Sequence, residues 1–178
     1  MKLFRRSFLL SLGTVLGCGV STAQRGRYTS PEAKASVSIA GREFSVDYFA
    51  PSAHGRRIMG ALVPYGEVWC TGANIATGFN LGADIRLGDL KIPKGSYSIW
   101  TIPTEKDWTL IINRETGQFH LNYRAARDFG RTRMLVRKLT EAVETFRIEL
   151  RNEGGNKGTL ALMWENTEAY IPFTVQAN

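Results

Sequence analysis

Apolar and polar residues alternate with a period of two along most of the chain. Val37 and Ile39 alternate with Ser36 and Ser38, Gly41-Arg42 turns the chain, and Phe44, Val46 and Tyr48 then alternate with Ser45 and Asp47. That pattern predicts a hairpin with one buried face. Strand signals return over 76–81, 84–87, 90–92, 96–102 and 108–113, punctuated by Gly88-Asp89, Pro93-Lys94-Gly95 and a turn over 103–107. They close the chain over 132–137, 143–151, 159–164 and 169–175, with Gly154-Gly155-Asn156 between the second and third of these. Within 96–102, Tyr97, Ile99 and Thr101 oppose Ser96, Ser98 and Trp100, which places Trp100 on the face away from the core. One short helical turn is expected near 124–128. About ten short strands without a helix of crossover length between them predict an all-β fold, an antiparallel β-sandwich or alternatively a partly open barrel.

The period fails in one long stretch, from Pro51 to Ile75, which Gly55, Gly60, Pro64, Gly66 and Gly72 interrupt. A loop of this length in a compact domain is either functional or packed as an ordered irregular segment. It holds the best-placed candidates for ligand binding: His54, Arg56, Arg57, Tyr65, Trp69 and Asn74. Arg forks suit carboxylate or phosphate, Tyr and Trp give flat amphipathic area to a sugar or peptide, and Asn both donates and accepts. The competing reading is that Tyr65 and Trp69 anchor the segment to the sandwich.

Met1 to Arg6 carries three positive charges, Ser7 to Leu16 is apolar or small, and Ser21-Thr22-Ala23 offers small residues before Gln24. This is the pattern of a secretory signal peptide over 1–23, with an apolar run shorter than the ~20 residues of a membrane-spanning helix. Val15-Leu16-Gly17-Cys18 is an imperfect lipobox and makes a lipid anchor on Cys18 the alternative; Arg5-Arg6 likewise leaves twin-arginine export open. The expected product is periplasmic or extracellular, or else a membrane-anchored lipoprotein. A flexible arm over 24–33 precedes a single domain over 34–176. Either processing route removes or consumes the Cys18 thiol, which leaves Cys70 unpaired.

Of 178 residues, 43% are hydrophobic and 22% charged, a globular balance. The net charge of +7 includes Lys2, Arg5 and Arg6; without them 20 basic residues face 16 acidic ones, a balance of +4. The densest basic stretch, Arg124, Arg127, Arg131, Arg133, Arg137 and Lys138, reads as a solvated face. No basic groove interleaved with stacking aromatics is apparent, so nucleic acid is not an expected partner.

Two Cys and two His, far apart, exclude a Cys-cluster metal site, and a blue-copper ligand set fails because no His follows Cys70 before His120. No metal or cofactor is expected. A His54–Cys70 dyad or a His54–His120 pair would require the fold to bring them together. Asp47, Glu67, Asp84 and Glu165 could supply paired carboxylates, but spacing selects none of them. Phosphate-cradling loops and nucleophile-elbow motifs are absent.

The segments from His54 to Gly60, Leu62 to Trp69 and Thr71 to Thr77, with Ile92 to Pro103 and the Trp108 strand, resemble the bacterial domain-of-unknown-function family 2911. The resemblance covers about residues 30–176 and implies a small exported β domain without an assigned activity. It also implies two departures, because relatives commonly carry Arg at the position of Cys70 and Glu at that of Ile75. Loss of both together fits an ionic pair replaced by apolar packing, and argues against Cys70 as an inherited nucleophile. The resulting expectation is a non-catalytic module that is envelope-associated or binds a small molecule, glycan or peptide; the alternative is a hydrolase acting on an envelope or extracellular substrate.

Overall fold

The computed structural model describes residues 30–176. The expected signal peptide, the Cys18 alternative and residues 24–29 of the expected arm lie outside the described residues. Nine strands form in chain order: β1 (Glu32–Ile39), β2 (Arg42–Phe49), β3 (Gly78–Leu81), β4 (Ile85–Leu87), β5 (Leu90–Ile92), β6 (Gly95–Pro103), β7 (Asp107–Asn113), β8 (Asp128–Asn152) and β9 (Lys157–Val175). A 3₁₀ turn, Ala125–Arg127, stands where a helical turn was expected. The last two residues of the expected arm are strand, since Glu32 and Ala33 pair with Phe49 and Tyr48.

All nine strands belong to one antiparallel sheet in the order β1-β2-β3-β6-β7-β8-β9-β4-β5, sandwich-like but not closed into a barrel. The sheet doubles over because β8 and β9 are long and bent. Four short closing segments were expected; instead 132–137 merges with 143–151, and 159–164 with 169–175. Residues 138–142 lack Gly and Pro, so the chain stays extended there. Two register shifts, at Lys138/Val143 and Val143/Arg147, bend the hairpin without ending it. Opposite them Glu165 takes φ +48°. The bend carries the far half of β8 back over β1 and β2, where Asn152 Nδ2 donates to the Ser38 carbonyl at 2.9 Å and the Ile148 amide donates to the Tyr48 hydroxyl at 3.1 Å.

The alternating apolar residues meet inside this fold. Phe44, Val46, Phe79, Ile99, Leu110, Ile112, Phe146, Leu160, Leu162 and Phe173 are buried in one core. Trp100 lies on the opposite face of β6, as the alternation predicted, yet it is not exposed. It is buried with Cys70, Ala76 and Ile111, beneath the end of the irregular segment, with Tyr123 packed on the cluster. A second small core on the outer face fits the loss of the period of two over Pro51–Ile75: the stretch pairs with the strands only at isolated bridges, Ser52 with Thr145 and Trp69 with Thr101, and packs part of its length over a sheet face.

Candidate functional site

The irregular segment is held by hydrogen bonds where β8 and β9 bulge. The Ala53 amide donates to the Glu144 carbonyl at 2.9 Å and the His54 amide to the Glu144 carboxylate at 2.7 Å. The Ile58 and Met59 amides donate to the two oxygens of Glu165, at 2.9 and 3.0 Å. Ala53, Ile58, Met59 and Val63 are buried in the main core. Glu165, one of the four carboxylates that spacing did not distinguish, is therefore a clamp on this loop.

The six sequence-predicted residues fall in three places. His54, Arg56, Arg57 and Tyr65 lie on the exposed side of the loop. Arg56 donates to the Ala53 and Ser52 carbonyls, at 2.9 and 2.8 Å, and Arg57 to the Met59 carbonyl at 3.4 Å, so both guanidiniums are used in part by the loop itself. Tyr65 lies over Gly60, where a Cβ would sit only 2.7 Å from the ring. Trp69 packs in the core against Trp108, Phe146 and Trp164, with centroids 6.1, 5.0 and 5.9 Å away, and its Nε1 donates to the Gly72 carbonyl at 3.1 Å. Its backbone pairs with Thr101 in both directions. Asn74 takes φ +61° beside the 118–120 segment, where its carbonyl accepts the His120 amide; its Nδ2 and the Oε1 of Gln118 are buried without a partner.

None of these six lines the two grooves on the outer face of β1, β2, β3 and β6. The first, about 700 Å³, runs over Glu32, Lys34, Asp47, Phe49 and Gly78 to Ile75 and Gly117. The second, about 510 Å³, shares Lys34 and continues over Ser36, Ser45, Asn80, Lys94 and Ser96. Strand register aligns their floor: Ser36 pairs with Ser45, Ser45 with Asn80, and Asn80 with Ser96. In the next row Lys34 pairs with Asp47, and Asp47 with Gly78. Asn80 Nδ2 donates to Asp47 at 2.9 Å and to Ser45 at 3.3 Å, Ser96 donates to Asn80 Oδ1 at 2.8 Å, and Lys34 forms an ion pair with Asp47 at 3.2 Å. Asp47 was expected on the face opposite Phe44, Val46 and Tyr48; it is there, at the centre of a polar network.

Several other titratable groups serve the scaffold. Burial pushes the Cys70 thiol up to about 12, so it stays protonated and non-nucleophilic near neutrality. The basic stretch is largely paired: Arg124 with Glu115, Arg131 with Asp128, Arg133 with Asp107, and Arg137 with Glu168. Glu168, 1% exposed, also pairs with Arg151 at 2.7 Å. Burial alone would raise its proton affinity, but the two guanidiniums outweigh that and hold the carboxyl below its ordinary range. Asp84 Oδ1 accepts the Lys94 amide at 2.8 Å and fixes a turn. Among the described residues no three His, Cys, Asp or Glu side chains are placed to hold a metal ion, and no helix is long and apolar enough to cross a membrane.

Fold and surface together define a single-sheet antiparallel β domain with a grooved outer face. A family model described as a protein of unknown function, DUF2911, matches residues 30–173, and the chain belongs to that family. No curated protein and no solved structure matches.

Proposed function

We propose that this protein is an exported, non-catalytic binding module whose ligand seats on the grooved outer face of β1, β2, β3 and β6. The observation that carries this reading is the pair of adjoining grooves, the second floored by the Ser45–Asn80–Ser96 hydrogen bonds and joined to the first through Lys34 and Asp47, with volumes in the range of ligand sites. A second reading places the ligand on the loop, where Leu62, Tyr65 and Val68 are exposed beside Arg57.

Retention of the wild type on anionic, glycan and peptide arrays, compared with Gly78→Leu, Arg56→Ala and Tyr65→Ala, separates the two faces. The expected result is retention that Gly78→Leu abolishes and the loop variants keep. Loss in the loop variants alone moves the site to the loop, and release of a cleaved product would mean that the protein is a hydrolase. Export is tested by intact mass after expression in a bacterial host: a chain starting at Gln24 is expected, whereas an acylated chain starting at Cys18 would replace the soluble form with the lipoprotein.

A further inference from the structure

Resting on the reading of the grooved face as the binding site, we infer that its ligand is a neutral, linear oligosaccharide lying across the strands. Charge is the first argument. Lys34 and Lys94 face Glu32, Glu43 and Asp47 along the two grooves, one negative charge in excess, and Lys34 is already paired with Asp47. Such a face does not attract an anion.

The hydrogen-bonding inventory is the second argument. Asn80 is fixed by Ser45, Asp47 and Ser96, so the floor is organised before a ligand arrives and little side-chain freedom remains to be lost. What it leaves over is mixed. The Ser45 hydroxyl proton and two Lys34 protons have no acceptor among the described residues, while Asp47, Asn80 and Ser96 keep free lone pairs. Donors alternating with acceptors at short spacing match neighbouring sugar hydroxyls, each of which does both.

Shape is the third. The row from Ser36 to Ser96 crosses four strands, and three steps of ~4.8 Å give about 14 Å, a length for several sugar rings rather than one. Gly78 leaves a hollow in the floor between Asp47 and Ser98. At the far end Ile75 lines the groove and pairs opposite Phe119, a residue 42% exposed. Directly opposed residues of an antiparallel pair stand on the same side, so Phe119, its ring edge-on to His120 at 4.2 Å, is an apolar surface for a sugar face at the Ile75 end of the first groove, beyond the Lys34–Asp47–Gly78 row.

Calorimetric titration with cellohexaose, mannohexaose, xylohexaose and chitohexaose tests the inference on wild type, Gly78→Leu, Asn80→Ala and Phe119→Ala. A Cβ at 78 meets only the Asp47 carbonyl oxygen, at an ordinary 3.7 Å, so Leu fills the hollow without backbone strain. The expected result is saturable binding of at least one hexasaccharide, lost in Gly78→Leu and weakened about tenfold in Asn80→Ala and in Phe119→Ala. Thermal midpoints identify a variant that has not folded; should Gly78→Leu be one, Asn80→Ala and Ser45→Ala carry the comparison. If no hexasaccharide binds but a polyanion or peptide does, and Gly78→Leu abolishes that binding, the grooved face stands as the site and the sugar inference is overturned. If a hexasaccharide binds equally to wild type and to all groove variants, the reading of the face itself is overturned.

Discussion

Trp69→Ala is expected to destabilise the fold by about 3 kcal/mol, whereas Tyr65→Ala changes stability by less than about 1 kcal/mol. Truncating a buried aromatic removes both its transfer free energy and the packing of its neighbours, ~3–5 kcal/mol for Trp or Phe. The Trp69 ring touches three aromatic rings from β7, β8 and β9 and donates to Gly72, but keeps partial exposure, which places it at the lower end. Tyr65 lies on the loop surface with 37% exposure. Urea unfolding reads the difference as a shifted midpoint with an unchanged slope. Equal losses at the two positions would contradict the assignment of Trp69 as the anchor.

The second large effect depends on pH. Glu168 is bound by Arg137 and Arg151 only in the folded chain, and its carboxyl is held below the ordinary Glu value. Its stabilisation is therefore fully present above that ordinary value, about 4.3, and is lost as the pH falls through the lower folded value. Glu168→Gln is expected to cost roughly 2–3 kcal/mol at pH 7. This is less than the ~3–5 kcal/mol typical of a broken buried pair, because the Arg137 side chain is 55% and the Arg151 side chain 31% exposed to water. The gap between wild type and variant should close as the wild type is acidified below pH 4. A gap that persists unchanged down to pH 2 would show that packing, not charge, accounts for the loss.

Alternation made most of the sheet legible in the sequence. Phe44, Val46 and Tyr48 face the core and Asp47 faces out because a strand repeats every two residues, whatever its neighbours. The length of β8 and β9 was not legible, because the residues that break the period at 138–142 bulge rather than turn, and a bulge is fixed by its partner strand. Trp69 illustrates the same difficulty in the loop. An aromatic in an aperiodic stretch is an anchor or a platform according to what lies beneath it, and Trp108, Phe146 and Trp164 come from distant segments.

The grooved face escaped sequence reasoning for a related reason. Its signal was present, since the outward positions of four strands carry Ser36, Ser45, Asn80 and Ser96 where long charged side chains would ordinarily stand on a solvated face. Only the register aligns them into one row, and β3 and β6 are joined in the sheet across the excursion through β4 and β5. Asp47 taken alone is an exposed acid on a strand; with Lys34, Asn80 and Gly78 beside it, it becomes part of a floor.

The grooved face as the binding surface is tested most directly by a residue-resolved map of backbone amide shifts during titration with the same four hexasaccharides. The account predicts that for at least one of them the changes concentrate at Lys34, Ser45, Asp47, Gly78, Asn80 and Ser96 and saturate together. Changes confined to residues 54–66 would contradict it, whereas no change with any of the four would overturn the sugar inference and move the same map to the polyanion or peptide that the arrays retain.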